Sequence, residues 1–252
     1  MKLNADIGES YGKWTLGNDA SIMPLIDEAN IACGFHAGDP LTMQKTISLA
    51  KKHNVKIGAH VSYPDLQGFG RRSMSLDEKE LVAIIHAQIA VLEGLALTQG
   101  VTLSYVKPHG ALYNDMMKDQ STFLAVLLAL SSYHIVYKLV IQALPELSEY
   151  RALAEQFNVE LRCEGFADRA YSDDGLLVSR TKTNAVLNEQ NSLLQVELML
   201  KNGAVMSENS RLLQLPITTI CVHSDTPSAL VLCQKIRDLI SLKNNQQAIN
   251  VR

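Results

Sequence analysis

Ile57-Gly-Ala-His60-Val-Ser-Tyr-Pro-Asp65-Leu-Gln-Gly-Phe-Gly70-Arg71-Arg72 is the stretch on which the reading of the fold turns. An apolar run halts at a histidine, and a turn-rich segment with a carboxylate, glycines and two adjacent arginines follows. Ser75 and Glu78 then read as a capping box opening a long helical pattern. Leu81, Ile84, Ile85, Gln88 and Leu92 mark its inner stripe, and Gly100 its stop. A strand that ends in polar chemistry just before a helix is a common way for α/β enzymes to build a site.

The same unit recurs on both sides of this stretch. Apolar alternation predicts strands over 2–7, 28–33, 55–60, 103–106, 137–141, 159–163 and 217–222. Helical spacing predicts helices over 19–26, 39–53, 75–99, 119–132, 145–157 and 186–201, and a last helix opening at Thr226-Pro227. Asp39-Pro40 pairs an N-cap with a first-turn proline, a strong helix start. Alternating strands and helices favour a parallel sheet, open or closed. An open doubly wound sheet gathers its polar signatures at one switch point. Here six of the seven strands are followed by polar groups, which fits a closed ring better. Residues 1–242 read as a single domain and 243–252 as a polar, frayed tail.

Composition narrows the class. The 252 residues are 47% apolar, enough for a substantial core, and the net charge of −3 is spread along the chain. Neither nucleic acid nor an anionic membrane surface is suggested. No apolar run reads as long enough to span a bilayer, and the N-terminus reads as a strand rather than a signal peptide. Cys33, Cys163, Cys221 and Cys233 are widely spaced, with no CxxC pair. Buried reduced thiols in a cytoplasmic protein are the expected reading.

The chemistry lies after the strands. Asn4 and Asp6 share one face of the first strand, and an inward Asp at a strand end suits a metal ligand or a general base. Glu9 lies just beyond, as a further member of the site or a loop carboxylate. His36, His60, His109 and His223 all follow strands, four of the seven histidines in equivalent places. With Asp6 they make either a metal cluster or a proton-transfer network. The metal candidates are Asp6, His36 and His60, and no HExxH-type signature decides between the two readings. His53, His86 and His134 read as structural. Lys107 and Arg71 offer fixed positive charge for carboxylate or phosphate, while Arg72 reads equally well as a salt bridge to Asp65 or Asp77. Asp168 and Arg169 divide evenly between site and structure. Gly8 to Trp14 imitates a phosphate loop, but it is one residue short and Trp14 stands where the metal-binding hydroxyl belongs.

Four motifs carry a resemblance: Ala29-Asn30-Ile-Ala-Cys33-Gly34-Phe-His36-Ala-Gly-Asp39-Pro40, Tyr63-Pro-Asp-Leu-Gln-Gly-Phe-Gly-Arg71-Arg72, Val106-Lys107-Pro-His109-Gly-Ala-Leu-Tyr113-Asn114 and Glu164-Gly-Phe-Ala-Asp168-Arg169. On these the chain resembles the LamB/YcsF family, that of 5-oxoprolinase A subunits, from Leu3 to about Ala229. The resemblance implies a seven-stranded (β/α) barrel similar to the glycoside hydrolase/deacetylase superfamily. It also implies ATP-dependent opening of 5-oxo-L-proline to L-glutamate, in a complex with subunits B and C, with Mg accompanying ATP. Asp6, His60, Lys107, His109 and His223 are then the expected catalytic set. Asn4, His36, Arg71, Asp168 and Arg169 are the expected substrate and phosphate contacts. Two other readings compete: a metal-dependent hydrolase of deacetylase type, and a non-catalytic ligand-binding subunit. The chain departs from the family pattern at Val61-Ser62, where Pro-Gly is usual, at Ser224 for a glycine and at Ala5 for a cysteine.

Overall fold

The computed structural model describes residues 1–223 and 229–250, with side chains at 1–222 and 229–244. Seven parallel strands close into a barrel: β1 (Lys2–Ile7), β2 (Glu28–Ala32), β3 (Lys56–Val61), β4 (Leu103–Pro108), β5 (Lys138–Gln142), β6 (Leu161–Phe166) and β9 (Thr219–His223), the last pairing with both β6 and β1. Helices α1 (Asp19–Ile22), α2 (Pro40–Lys52), α3 (Glu78–Leu97), α5 (Gln120–Ser131), α6 (Ser148–Gln156), α7 (Glu189–Asn202) and α8 (Ala229–Asn250) alternate with the strands. Parallel neighbours need such crossovers, and closure removes the two exposed sheet edges.

Most strands run one to three residues further than expected, because their polar C-terminal residues still pair. Lys107 and Glu164 are strand residues, not loop residues, and His60 lies within β3 as expected. The Ser75–Glu78 capping box is corrected: Asp77 caps α3, its Oδ1 accepting from the Glu80 N–H at 2.7 Å. Asp39 caps α2 as expected, accepting from the Leu41 and Thr42 amides at 2.9 and 3.0 Å. A short helix α4 (Gly110–Met116) and an antiparallel pair, β7 (Ala204–Met206) with β8 (Leu212–Gln214), were not expected. The last helix continues to Asn250, past the expected boundary at 242. Its Thr226-Pro227 start lies outside the described residues.

One helix corrects the membrane reading. By length and composition α3 is apolar enough to cross a bilayer, with a mean hydropathy of 1.7 over an 18-residue window. Its apolar content reflects a barrel-facing stripe, Leu81, Ile85, Ile89, Leu92 and Ala96, all buried. The outer ring follows this pattern, so the main apolar core lies between barrel and helices.

The barrel interior is polar, unlike the branched apolar filling usual in such folds. Low in the lumen Arg162 pairs with Glu28 at 2.6 Å and stacks over the Tyr105 ring. Above it, Asn30 donates to Asn4 and to Asp6, both at 2.8 Å. Tyr105 donates to Asn30 at 2.7 Å, and Asn4 to Thr219 at 2.9 Å. Gly58 leaves the space that Tyr105 fills, since a Cβ there would fall on the phenol ring. Gly58→Ala is therefore expected to destabilise the fold by about 1–3 kcal/mol through overpacking. Urea unfolding checks this, and a variant as stable as the parent would show that the ring has room to move.

Candidate active site

Strand alternation sends Asp6, His60, Lys107 and Glu164 inward near the C-terminal ends of β1, β3, β4 and β6. Lys107 is 2% exposed. Its ammonium lies 2.8 Å from Asp6 Oδ1 and 3.0 Å from Glu164 Oε1, and donates to Cys221 Sγ at 3.2 Å. The contact to Glu164 Oε1 is an ion pair without a directed hydrogen bond, while Tyr113 donates to Oε2 at 3.2 Å. Burial opposes the charge on Lys107, but Asp6 and Glu164 outweigh it and hold its pKa well above the ordinary lysine value. Burial likewise pushes the Tyr105 and Tyr113 phenols and the Cys221 thiol well up.

Three histidines stand beside this centre. His60 Nε2 is 3.4 Å from Asp6 Oδ2 and 2.9 Å from His109 Nδ1. His36 stacks on His109, with ring centroids 3.8 Å apart and planes 5° from parallel. Glu9 Oε1 lies 3.3 Å from His36 Nε2 and 3.6 Å from His109 Nδ1. The loop quoted at the outset holds the stack. Gly70, at φ 64°, presses against it, and a Cβ there would meet His109 and His36 at 2.8 Å. Phe69 takes a left-handed backbone, φ 55°, and its carbonyl accepts from His109 Nε2 at 2.9 Å. Ser62 accepts from His36 Nδ1 at 3.0 Å, so this departure from the family pattern anchors a site histidine. Burial first, then the neighbouring imidazoles, hold His36 and His109 well below the ordinary histidine range.

The hydrogen-bond partners assign the tautomers. His60 Nδ1 faces the Lys107 carbonyl at 2.9 Å and must carry hydrogen, as must His109 Nε2. The 2.9 Å contact between their inner nitrogens then needs one shared proton or a bound cation.

A cavity of about 380 Å³ opens above this floor. Asp6, Glu9, His60, Lys107 and His109 line its base, and Arg71, Lys118, Arg169 and Arg180 its sides. A ligand-sized cleft with converging titratable groups is the usual form of an active site. The rim suits an anion, while the floor can move protons.

The expected residues divide. Asp6, His60, Lys107 and His109 converge, Arg71 stands exposed at the mouth, and His36 lies behind His109. Asn4 sits below the floor as a network partner. Arg169 lines the cavity, yet its guanidinium donates to the Val178 and Ala185 carbonyls at 2.7 and 3.3 Å and so ties down the segment over the pocket. Burial, reinforced by Arg180, lowers its pKa to about 10. Asp168 is buried beside it, outside the cavity lining. Arg72 is the salt-bridge partner of Asp65. His223 ends β9 in register with Asp6, but its side chain lies outside the described residues, as does Ser224. Glu164, Asn30 and Tyr105 were missed. Period-two polarity along their strands was the available signal.

The fold and the site together define a (β/α)7 barrel with a histidine–carboxylate–lysine centre at the C-terminal mouth. The chain belongs to the LamB/YcsF family, whose model matches residues 1–251. It is 46% identical over 246 residues to the 5-oxoprolinase A subunit of Vibrio campbellii, covering 97% of each chain. It is 47% identical over 250 residues to that of Pseudomonas fluorescens strain Pf-5, covering 98% of each. The crystal structure of the lactam utilization protein from Thermus thermophilus superposes with a TM-score of 0.88, at 33% identity and 97% coverage of both chains. A solved structure from Enterococcus faecalis V583, TM-score 0.50 and 13% identical, shares the fold alone.

Removing the Lys107 charge leaves Asp6 and Glu164 uncompensated in the barrel. Lys107→Met is expected to cost about 3–5 kcal/mol in urea unfolding. Adding Glu164→Gln to that variant should restore part of the loss. Strictly additive costs in the double-mutant cycle would show that the two groups are not coupled.

Proposed function

We propose that this chain opens the lactam ring of 5-oxo-L-proline to give L-glutamate, as the A component of an ATP-dependent 5-oxoprolinase working with subunits B and C. The observation that carries the reading is the pairing of a proton-moving floor with a cationic rim, in a chain whose relatives are named as 5-oxoprolinase A subunits.

The lactam is a poor electrophile. Phosphoryl transfer from ATP, with Mg, to the amide oxygen makes the ring carbon attackable. Water then adds to that carbon. The C–N bond breaks with its electrons on nitrogen, which takes a proton, and a second water releases phosphate from the acyl phosphate. Asp6 and His60 are placed to accept the proton of the attacking water, and His109 to supply one to the ring nitrogen. Lys107 holds the Asp6 carboxylate in place, and Arg71 meets the substrate's anionic groups at the mouth. In this reading the phosphoryl donor is bound at least partly by the partner subunits, a placement supported by the lack of a nucleotide-binding motif in this sequence.

The test combines the purified chain with subunits B and C and follows 5-oxoproline-dependent release of glutamate and phosphate. His60→Gln and Asp6→Asn are expected to lower kcat by about 10²-fold or more. Arg71→Ala should act mainly on KM. Parental rates in both floor variants would sink the assignment of roles.

A further inference from the structure

Each of the three site histidines has its outer nitrogen committed. Ser62 Oγ donates to the Tyr63 carbonyl at 2.9 Å, so it accepts from His36 Nδ1. The Lys107 carbonyl accepts from His60 Nδ1, and the Phe69 carbonyl from His109 Nε2. The inner nitrogens, His36 Nε2, His60 Nε2 and His109 Nδ1, are left to present lone pairs toward one another and toward Glu9. One ring nitrogen from each of the three and a Glu9 carboxylate oxygen all lie within 4.8 Å of one another, and all four residues are buried.

Outer N–H groups tied to carbonyls or similar acceptors are what orients imidazoles that bind a metal. Three imidazoles and one carboxylate form a donor set suited to zinc and similar borderline divalent ions. A tetrahedral ion with bonds of about 2.0–2.1 Å requires donor–donor edges of about 3.3 Å. Three of the six edges, 2.9 Å (His60–His109), 3.3 Å (His36–Glu9) and 3.6 Å (His109–Glu9), lie to either side of that value, and the whole set lies within 4.8 Å. Asp6 does not complete the set as well. Its Oδ1 is taken by Lys107 and Asn30, and its Oδ2 is 3.4 Å from His60 alone among these imidazoles.

We propose that Glu9, His36, His60 and His109 form a binding site for a divalent transition-metal ion of the zinc class at the floor of the pocket. The site answers the requirement at the His60–His109 contact with a cation in place of a proton. It is independent of the substrate and the phosphoryl donor assigned above but not of the proton roles: with the ion bound, the inner nitrogens of His60 and His109 are ligands, and proton transfer at the floor falls to Asp6.

Stripping the full chain with a chelator and titrating it with zinc chloride alone tests this. Calorimetry and elemental analysis should give one zinc per chain. Ser62→Ala, which frees His36 Nδ1, should weaken binding about 10–100-fold. Glu9→Gln should weaken it at least as much. Circular dichroism would establish that both variants are folded. In cobalt-loaded protein the visible bands of a four-coordinate site should be present in the parent and altered in Glu9→Gln. A stripped, folded parent that takes up no zinc would overturn the proposal. So would zinc binding of unchanged affinity in the two folded variants.

Discussion

The Lys107 ammonium, held between Asp6 and Glu164, is the constraint on which the rest of the molecule depends. A buried cation without partners costs far more than the fold can spare. Its partners come from β1 and β6, while Lys107 itself comes from β4. In the barrel order β9 lies between β1 and β6, and β4 stands on the other side of the lumen. Only a closed sheet lets one side chain from β4 cross to both carboxylates. Ring closure and charge compensation are therefore one requirement, and β9, which supplies Cys221 beneath the ammonium, completes both.

A lumen so polar contributes little hydrophobic free energy, so the outer shell must supply it. The buried faces of α3 and α5 and the outward-facing strand residues do so. This division separates stability from chemistry. The helices can be optimised for packing, while the lumen keeps Asn4, Asn30, Tyr105 and Glu28–Arg162 as layers of satisfied polar groups under the reactive floor. Each layer fixes the rotamers of the one above it. Tyr105 orients Asn30, Asn30 donates to Asp6, and Asp6 holds Lys107.

The strand–helix alternation and the closed ring were legible because period two and period 3.6 differ plainly in the segments around His60, Lys107 and Asp39. The convergence of Asp6, His60, Lys107 and His109 was legible because each follows an apolar run at the same relative position. Glu164 was read as the start of a loop. Its apolar run ends at Cys163, and only pairing with β5 and β9 extends the strand through it to Phe166. Glu9 was left open for a related reason. Nothing local says that the turn after β1 brings its carboxylate against His36 and His109, from residues 27 and 100 positions away in the chain. Asp77 displaced Ser75 as the cap because an aspartate immediately before the first helical turn reaches the Glu80 amide directly.

The loop from Val61 to Arg72 shows how backbone geometry becomes chemistry. The Val61 carbonyl accepts from the His109 N–H at 2.7 Å, and the Gly70 carbonyl from the Ala111 N–H at 2.8 Å. Together with the Phe69 carbonyl, these bonds lock α4 and its preceding histidine onto β3. Asp65 braces the turn through the Gly68 amide and Arg72, which explains why the second of the two arginines is structural. The first faces the pocket. One short segment thus sets the orientation of His109 at the floor and places Arg71 at the mouth. A substrate held by its anionic groups at the rim must present its remaining, uncharged end to the floor. For the 5-oxoproline proposed above that end is the lactam carbonyl, so the proposed orientation of the substrate follows from where the strand stops and the turn begins.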